Sequence, residues 1–129
     1  MSDKQVIRTE AAPAPFQGAP YNQAIASGGF VFISGQLGLR PGDTVLPEGI
    51  TAQTTNVLAN LTAILEAAGS SAANLVKTTV FLKNLDDFAA MNELYKGFAG
   101  DTPPARSTIQ VAKLPSDALI EIEAIARIA

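Results

Sequence analysis

The sequence predicts an α+β fold in which a β-sheet is backed by two amphipathic helices. Three features predict it: a glycine-turn hairpin near the N-terminus, two stretches with apolar residues at helical spacing, and a pair of strands closing the chain. Gln5 to Arg8 reads as a short strand, and the proline-punctuated Ala11 to Pro20 reads as a loop because it cannot hold regular helix. Gln23 to Ser27 and Phe30 to Ser34 flank Gly28-Gly29, a two-residue turn suited to a tight hairpin. Beyond the turns at Pro41-Gly42-Asp43 and Pro47-Glu48-Gly49, the stripe Val57, Leu58, Leu61, Ile64, Leu65 and Ala68 marks a helix that Gly69 stops.

Leu75 to Lys83 is rich in β-branched residues and reads as a strand. The second helix enters at Asn84 and Asp86, carries the stripe Phe88, Met91, Tyr95 and Phe98, and ends before Gly100. Arg106 to Ala112 and Leu119 to Ile128 are strands on either side of a turn at Pro115-Ser116-Asp117. No repeat or linker interrupts this order, so residues 1–129 read as one domain, and 47% hydrophobic content is enough for its core.

Composition removes whole classes of function. With no histidine and no cysteine, serine–histidine triads, cysteine hydrolases and zinc sites built on those ligands are excluded. Carboxylate, arginine, hydroxyl and backbone chemistry remain. A net charge of −3, with the nine basic residues scattered, argues against nucleic acid and against an anionic membrane as partners. Met1 to Gln5 are polar and open no signal or membrane-spanning segment, so a cytoplasmic protein is expected.

The strands do not alternate cleanly. Phe30, Val31, Phe32 and Ile33, like Val80, Phe81 and Leu82, are apolar on both faces, whereas two helices cover only one. Either a second copy of the chain covers the other face, or the helix pair is tilted across a curled sheet. In the last strand, Ile120, Ile122, Ala124 and Ala126 suit the face beneath the helices, leaving Glu121, Glu123 and Ile125 opposite. Composition alone turns both glutamates to water. If that face meets a neighbouring chain, a partly dry carboxylate binds its proton more tightly, as a general acid or base near neutral pH requires.

Five stretches together carry a resemblance: Ala19-Pro20-Tyr21-Asn22-Gln23, Ser34-Gly35-Gln36, Val76-Lys77-Thr78-Thr79-Val80-Phe81, Pro104-Ala105-Arg106-Ser107, and Ile120-Glu121-Ile122-Glu123-Ala124-Ile125-Ala126. Along nearly its whole length the chain resembles the RidA (YjgF) family of enamine/imine deaminases. The resemblance implies a chorismate-mutase-like mixed sheet packed on two helices, and a homotrimer whose sheets face a central barrel-like core with clefts between subunits. It implies that Arg106 binds the substrate carboxylate and Glu121 handles water and proton transfers. Tyr21, Ser34 and Asn92 would line the cleft, with Gly35 and Thr108 contributing backbone groups. Thr108 stands where some relatives have cysteine, Ala19 replaces a glycine frequent before Pro-Tyr, and Pro103 stands where an aromatic is common.

The implied chemistry suits these residues. A 2-imino acid places a carboxylate beside an electrophilic C=N carbon, and a guanidinium binds that carboxylate through two parallel hydrogen bonds. A lone arginine on a strand ordinarily reads as a surface ion pair. The stiff Pro103-Pro104 turn and the resemblance favour the anchor. Glu121 can then direct a water at the imine carbon and protonate the departing ammonia, a reaction that needs no metal or organic cofactor.

Bland readings stand beside these. Tyr21 can simply pack, Ser34 can satisfy local backbone groups, and Asn92 lies at the edge of a buried stripe. The Asn60-Leu61-Thr62 glycosylation signal falls within a predicted helix and is discounted. The leading expectation is hydrolysis of 2-aminoacrylate/2-iminopropanoate and 2-iminobutanoate to 2-keto acids and ammonium. Its rival is a non-catalytic trimeric regulatory protein that binds small carboxylates. Ribonuclease action fits poorly with the charge and the missing histidine. Chorismate mutase activity would want a second anion anchor besides Arg106.

Overall fold

The computed structural model describes residues 3–129, so Met1 and Ser2 of the polar opening lie outside the described residues. Strand β1 (Gln5–Ile7) leads through the proline-rich loop to β2 (Ala24–Ser27) and β3 (Phe30–Gln36), which form the expected antiparallel hairpin. Gly28 and Gly29 take φ of 61° and 83°, a conformation that residues with a Cβ rarely adopt. Helix α1 (Ile50–Ala67) follows, then β4 (Leu75–Leu82), α2 (Phe88–Ala99), β5 (Ala105–Gln110) and β6 (Ile120–Arg127).

Helix α1 starts seven residues before the Val57 stripe, because its first turns carry the buried polar residues Gln53 and Thr54, which a search for apolar spacing passes over. The entry to α2 is a short 3₁₀ turn, Leu85–Asp87, whose Asn84 side chain accepts the Asp86 N–H at 2.9 Å. Phe88, assigned to the buried stripe from its spacing, remains exposed on the flank of α2, whereas Met91 and Tyr95 are buried.

The six strands run in the order β1-β2-β3-β6-β4-β5. The final strand inserts between β3 and β4 and is antiparallel to both, while β4 and β5 are parallel. The crossovers β3-α1-β4 and β4-α2-β5 advance in the same direction along the sheet. With one handedness they lay both helices on one face. Between those helices and the sheet lie Val57, Leu61, Ile64, Leu65 and Met91, packed with Val31, Ile33, Val80, Leu82, Ile120 and Ile122.

The other sheet face carries Phe32 (45% exposed), Ile109 (46%) and the half-buried Phe81 and Ile125. Burial on both faces therefore does not hold within one chain: Val31 and Ile33 are covered, whereas Phe30 and Phe32 are open. The helices are not tilted across a curled sheet to cover the second face.

The irregular segment between β3 and α1 is held by amides on one side of the helix. Asn60, fully buried, donates to the carbonyls of Leu37 (3.1 Å) and Leu39 (2.6 Å) and accepts from Arg40. Asn56 donates to Gly38 O, and Gln53 donates to Pro47 O while accepting the Leu119 N–H. Replacing the fully buried Asn60 with alanine leaves the Leu37 and Leu39 carbonyls, both part-buried, without their donor and should cost about 2–4 kcal/mol. Urea unfolding of Asn60→Ala checks this, with a midpoint equal to wild type as the contrary result.

Candidate active site

Alternation in β6 sends Ile120, Ile122, Ala124 and Ala126 into the core and leaves Glu121 and Glu123 on the open sheet face. Glu121 lies over the irregularity in β3 where the β3–β6 register shifts between Ile33 and Gln36. Its carboxylate rests against Gly35 so closely that a Cβ there would sit 1.9 Å from Glu121 Oε2. Only glycine leaves that space. A cavity of about 440 Å³ opens beside the carboxylate, lined by Tyr21, Ser34, Gly35, Glu121 and Glu123 together with Phe16 and Pro115.

The Tyr21 hydroxyl accepts the Phe16 N–H at 2.6 Å and so holds the turn in which Gln17 takes φ 53°. The Ser34 hydroxyl donates to Asn22 O at 2.6 Å. Both side chains thus shape the wall as well as line it. Burial raises the proton affinity of the Glu121 carboxyl above the ordinary glutamate value, and the nearby Glu123 charge raises it further.

Arg106 stands elsewhere. In the parallel β4–β5 register it is paired with Thr78, whose side chain is buried under the helices, so Arg106 emerges on the helix face of the edge strand. Its guanidinium lies 4.7 Å from the Tyr95 ring centroid and 5.5 Å from that of Phe88, with Nη1 4.0 Å from Met91 Sδ. Tyr95 is itself locked by a 2.6 Å hydrogen bond between its hydroxyl and Thr78 Oγ1. Among the described residues the one side-chain ion pair joins Lys83 and Asp117, so Arg106 has no carboxylate partner. A cavity of about 390 Å³ borders it, lined also by Asn92, Glu93, Lys96, Pro103 and Pro104. Thr108, two residues along β5 on the same face, has a buried hydroxyl with no hydrogen-bond partner.

The structure therefore sorts the sequence-predicted residues into two groups. Tyr21, Ser34, Gly35 and Glu121 share one cavity; Asn92 and Arg106 share another, with Thr108 on the same side. From strand spacing and register the Cα atoms of Glu121 and Arg106 are about 14 Å apart, on opposite faces of the sheet. One chain cannot bring the two side chains together. Phe16, Pro115, Glu93 and Lys96 were not identified from sequence as cavity residues. Lys96 was within reach, since it lies four residues beyond Asn92 on one helix face.

Two helices on one face of this mixed six-stranded sheet define the YjgF-like α+β fold. The chain belongs to the endoribonuclease L-PSP family, that of YjgF and RidA, whose model matches residues 9–128. It is 47% identical over 124 residues to Reactive Intermediate Deaminase A of Arabidopsis thaliana chloroplasts, covering 95% of this chain and 65% of that one. It is similar to the crystal structure of RidA from an Antarctic Psychrobacter, with a TM-score of 0.91, 44% identity and coverage of 96% and 99%. It is also similar to Escherichia coli TdcF with bound serine, with a TM-score of 0.90, 41% identity and coverage of 97% and 99%. No helix among the described residues is long and apolar enough to cross a membrane.

Side-chain carbon NMR should show Glu121 titrating above an ordinary glutamate. Glu123→Gln should lower that midpoint, and Gly35→Ala, by forcing the carboxylate out of its seat, should lower it as well. A midpoint unmoved by both substitutions contradicts the environment described.

Proposed function

We propose that the protein is a cofactor-free deaminase that hydrolyses 2-imino acids, 2-aminoacrylate/2-iminopropanoate and 2-iminobutanoate among them, in clefts between the chains of a homotrimer. The observation that carries this reading is the separation of Arg106 and Glu121 onto opposite sheet faces. Arg106 has no carboxylate partner, and Glu121 stands at the end of an apolar face that lacks a cover. Placing the β5 edge of one chain against the open face of another supplies each half-site with the other.

In that cleft Arg106 binds the substrate carboxylate, its plane set by Tyr95 and Phe88. Glu121 takes a proton from water as the oxygen attacks the C=N carbon. It returns that proton to nitrogen and then carries the proton of the new hydroxyl to the same nitrogen as the tetrahedral adduct collapses, releasing ammonia and leaving the 2-keto acid. Atoms balance with water alone. A raised proton affinity at Glu121 suits a group that must both accept and return a proton near neutral pH. Asn92 and the backbone at Gly35 and Thr108 complete the pocket.

The deaminase among the relatives supports this activity. The serine bound to TdcF carries a carboxylate and an α-nitrogen arranged as in a 2-imino acid. That serine also favours a second reading, a small-carboxylate sensor without turnover. Ribonuclease action suits the chain less well, with its net charge of −3 and no histidine.

Imines generated in situ by an amino-acid oxidase and trapped with semicarbazide give the test. Wild type should remove them, and Arg106→Ala and Glu121→Gln should each lose activity by at least about 100-fold. Mixing the two variants after reversible dissociation should restore about one site in four on random reassembly into rings. No recovery from correctly reassembled mixtures argues for sites within single chains. Ligand binding retained in Glu121→Gln, with no turnover in wild type, favours the sensor.

A further inference from the structure

The Arg106 cavity contains a second cation. Lys96 lies one helical turn beyond Asn92 on α2 and lines the same space, which Pro103 and Pro104 also line. Glu93 also lines it and lies within a turn of Lys96, yet the two form no ion pair. Neither cation in the cavity is therefore paired, and the three charged linings sum to one positive charge in a protein of net charge −3.

The two cations differ in freedom. Stacking on Tyr95 and Phe88 holds the guanidinium in one orientation, which suits the carboxylate that all 2-imino acids share. The ammonium of the exposed Lys96 sits on a flexible four-carbon stem, which suits a group whose distance from the first varies. A volume of about 390 Å³ leaves room for a substrate that carries a side chain.

Resting on the deaminase reading above, we infer that the substrate range extends to 2-imino dicarboxylates, with Arg106 holding the α-carboxylate and Lys96 the distal one. The C=N chemistry is unchanged: water adds, ammonia leaves, and the distal carboxylate takes no part beyond binding. Lys96 is a specificity-determining residue in this arrangement, and Glu93 acts against it by repelling the same carboxylate.

The test compares 2-iminosuccinate, made from aspartate by an aspartate oxidase, with 2-iminopropanoate made from alanine, both scored by semicarbazide trapping. The ratio of kcat/KM for the dicarboxylic over the monocarboxylic imine is read for wild type, Lys96→Met and Glu93→Gln. Lys96→Met should lower the ratio about two- to fivefold, within the range expected of one exposed ion pair. Glu93→Gln should raise it, and both effects should shrink as salt is added. Opposite signs and salt sensitivity separate a charge effect from a structural one. Hydrolysis of the monocarboxylic imine alone, or a ratio unmoved by both substitutions, overturns this inference and leaves the deaminase reading standing. Failure to consume either imine overturns both.

Discussion

The pairing of β6 between β3 and β4 is the constraint on which the rest of the molecule depends. Arriving last, this strand joins the N-terminal hairpin to the β4-α2-β5 unit and completes a continuous sheet under both helices. Its alternation has two outcomes at once. Ile120, Ile122, Ala124 and Ala126 close the core, and the same twofold period places Glu121 and Glu123 on the opposite face. A slip of one residue would exchange the two sets, burying carboxylates under the helices at a cost no packing could recover. The register that secures the core is thus the register that positions the acid.

Gly35 and Tyr95 play corresponding parts on the two faces. One gives up a side chain so that a carboxylate can lie against backbone. The other spends its hydroxyl on Thr78 and offers its ring to a cation. In both cases the group with chemical potential is held by a neighbour whose own position is fixed by the sheet, the arrangement that gives a site its geometry before any ligand arrives.

Much of this was legible from residues alone. The glycine hairpin, the β-branched run of β4 and the alternation of β6 are local signals, each set by backbone conformation or by the period of a strand, and the chain folds accordingly. The early turns of α1 were not legible, because Gln53 and Thr54 are polar yet buried: the Gln53 amide meets the backbone of Pro47 and of the distant Leu119, while the buried Thr54 hydroxyl has no hydrogen-bond partner. Arg106 and Glu121 were identifiable individually through resemblance and residue chemistry. Their placement on opposite faces was not, since it depends on the parallel β4–β5 register and the insertion of β6, neither of which leaves a mark in spacing. Phe16 and Pro115 border the Glu121 cavity through loops whose paths no periodicity encodes.

The amides along α1 have a consequence of another kind. Asn56 and Asn60, and Gln53 through its Nε2, grip the segment between β3 and α1 by its carbonyl oxygens, with the Arg40 guanidinium the one side chain of the segment that also bonds to these amides. A carbonyl is present whatever residue bears it. The path of that segment is thereby separated from most of its own composition, leaving positions such as the exposed Val45 free to drift or to be redesigned while the helix continues to dictate the shape.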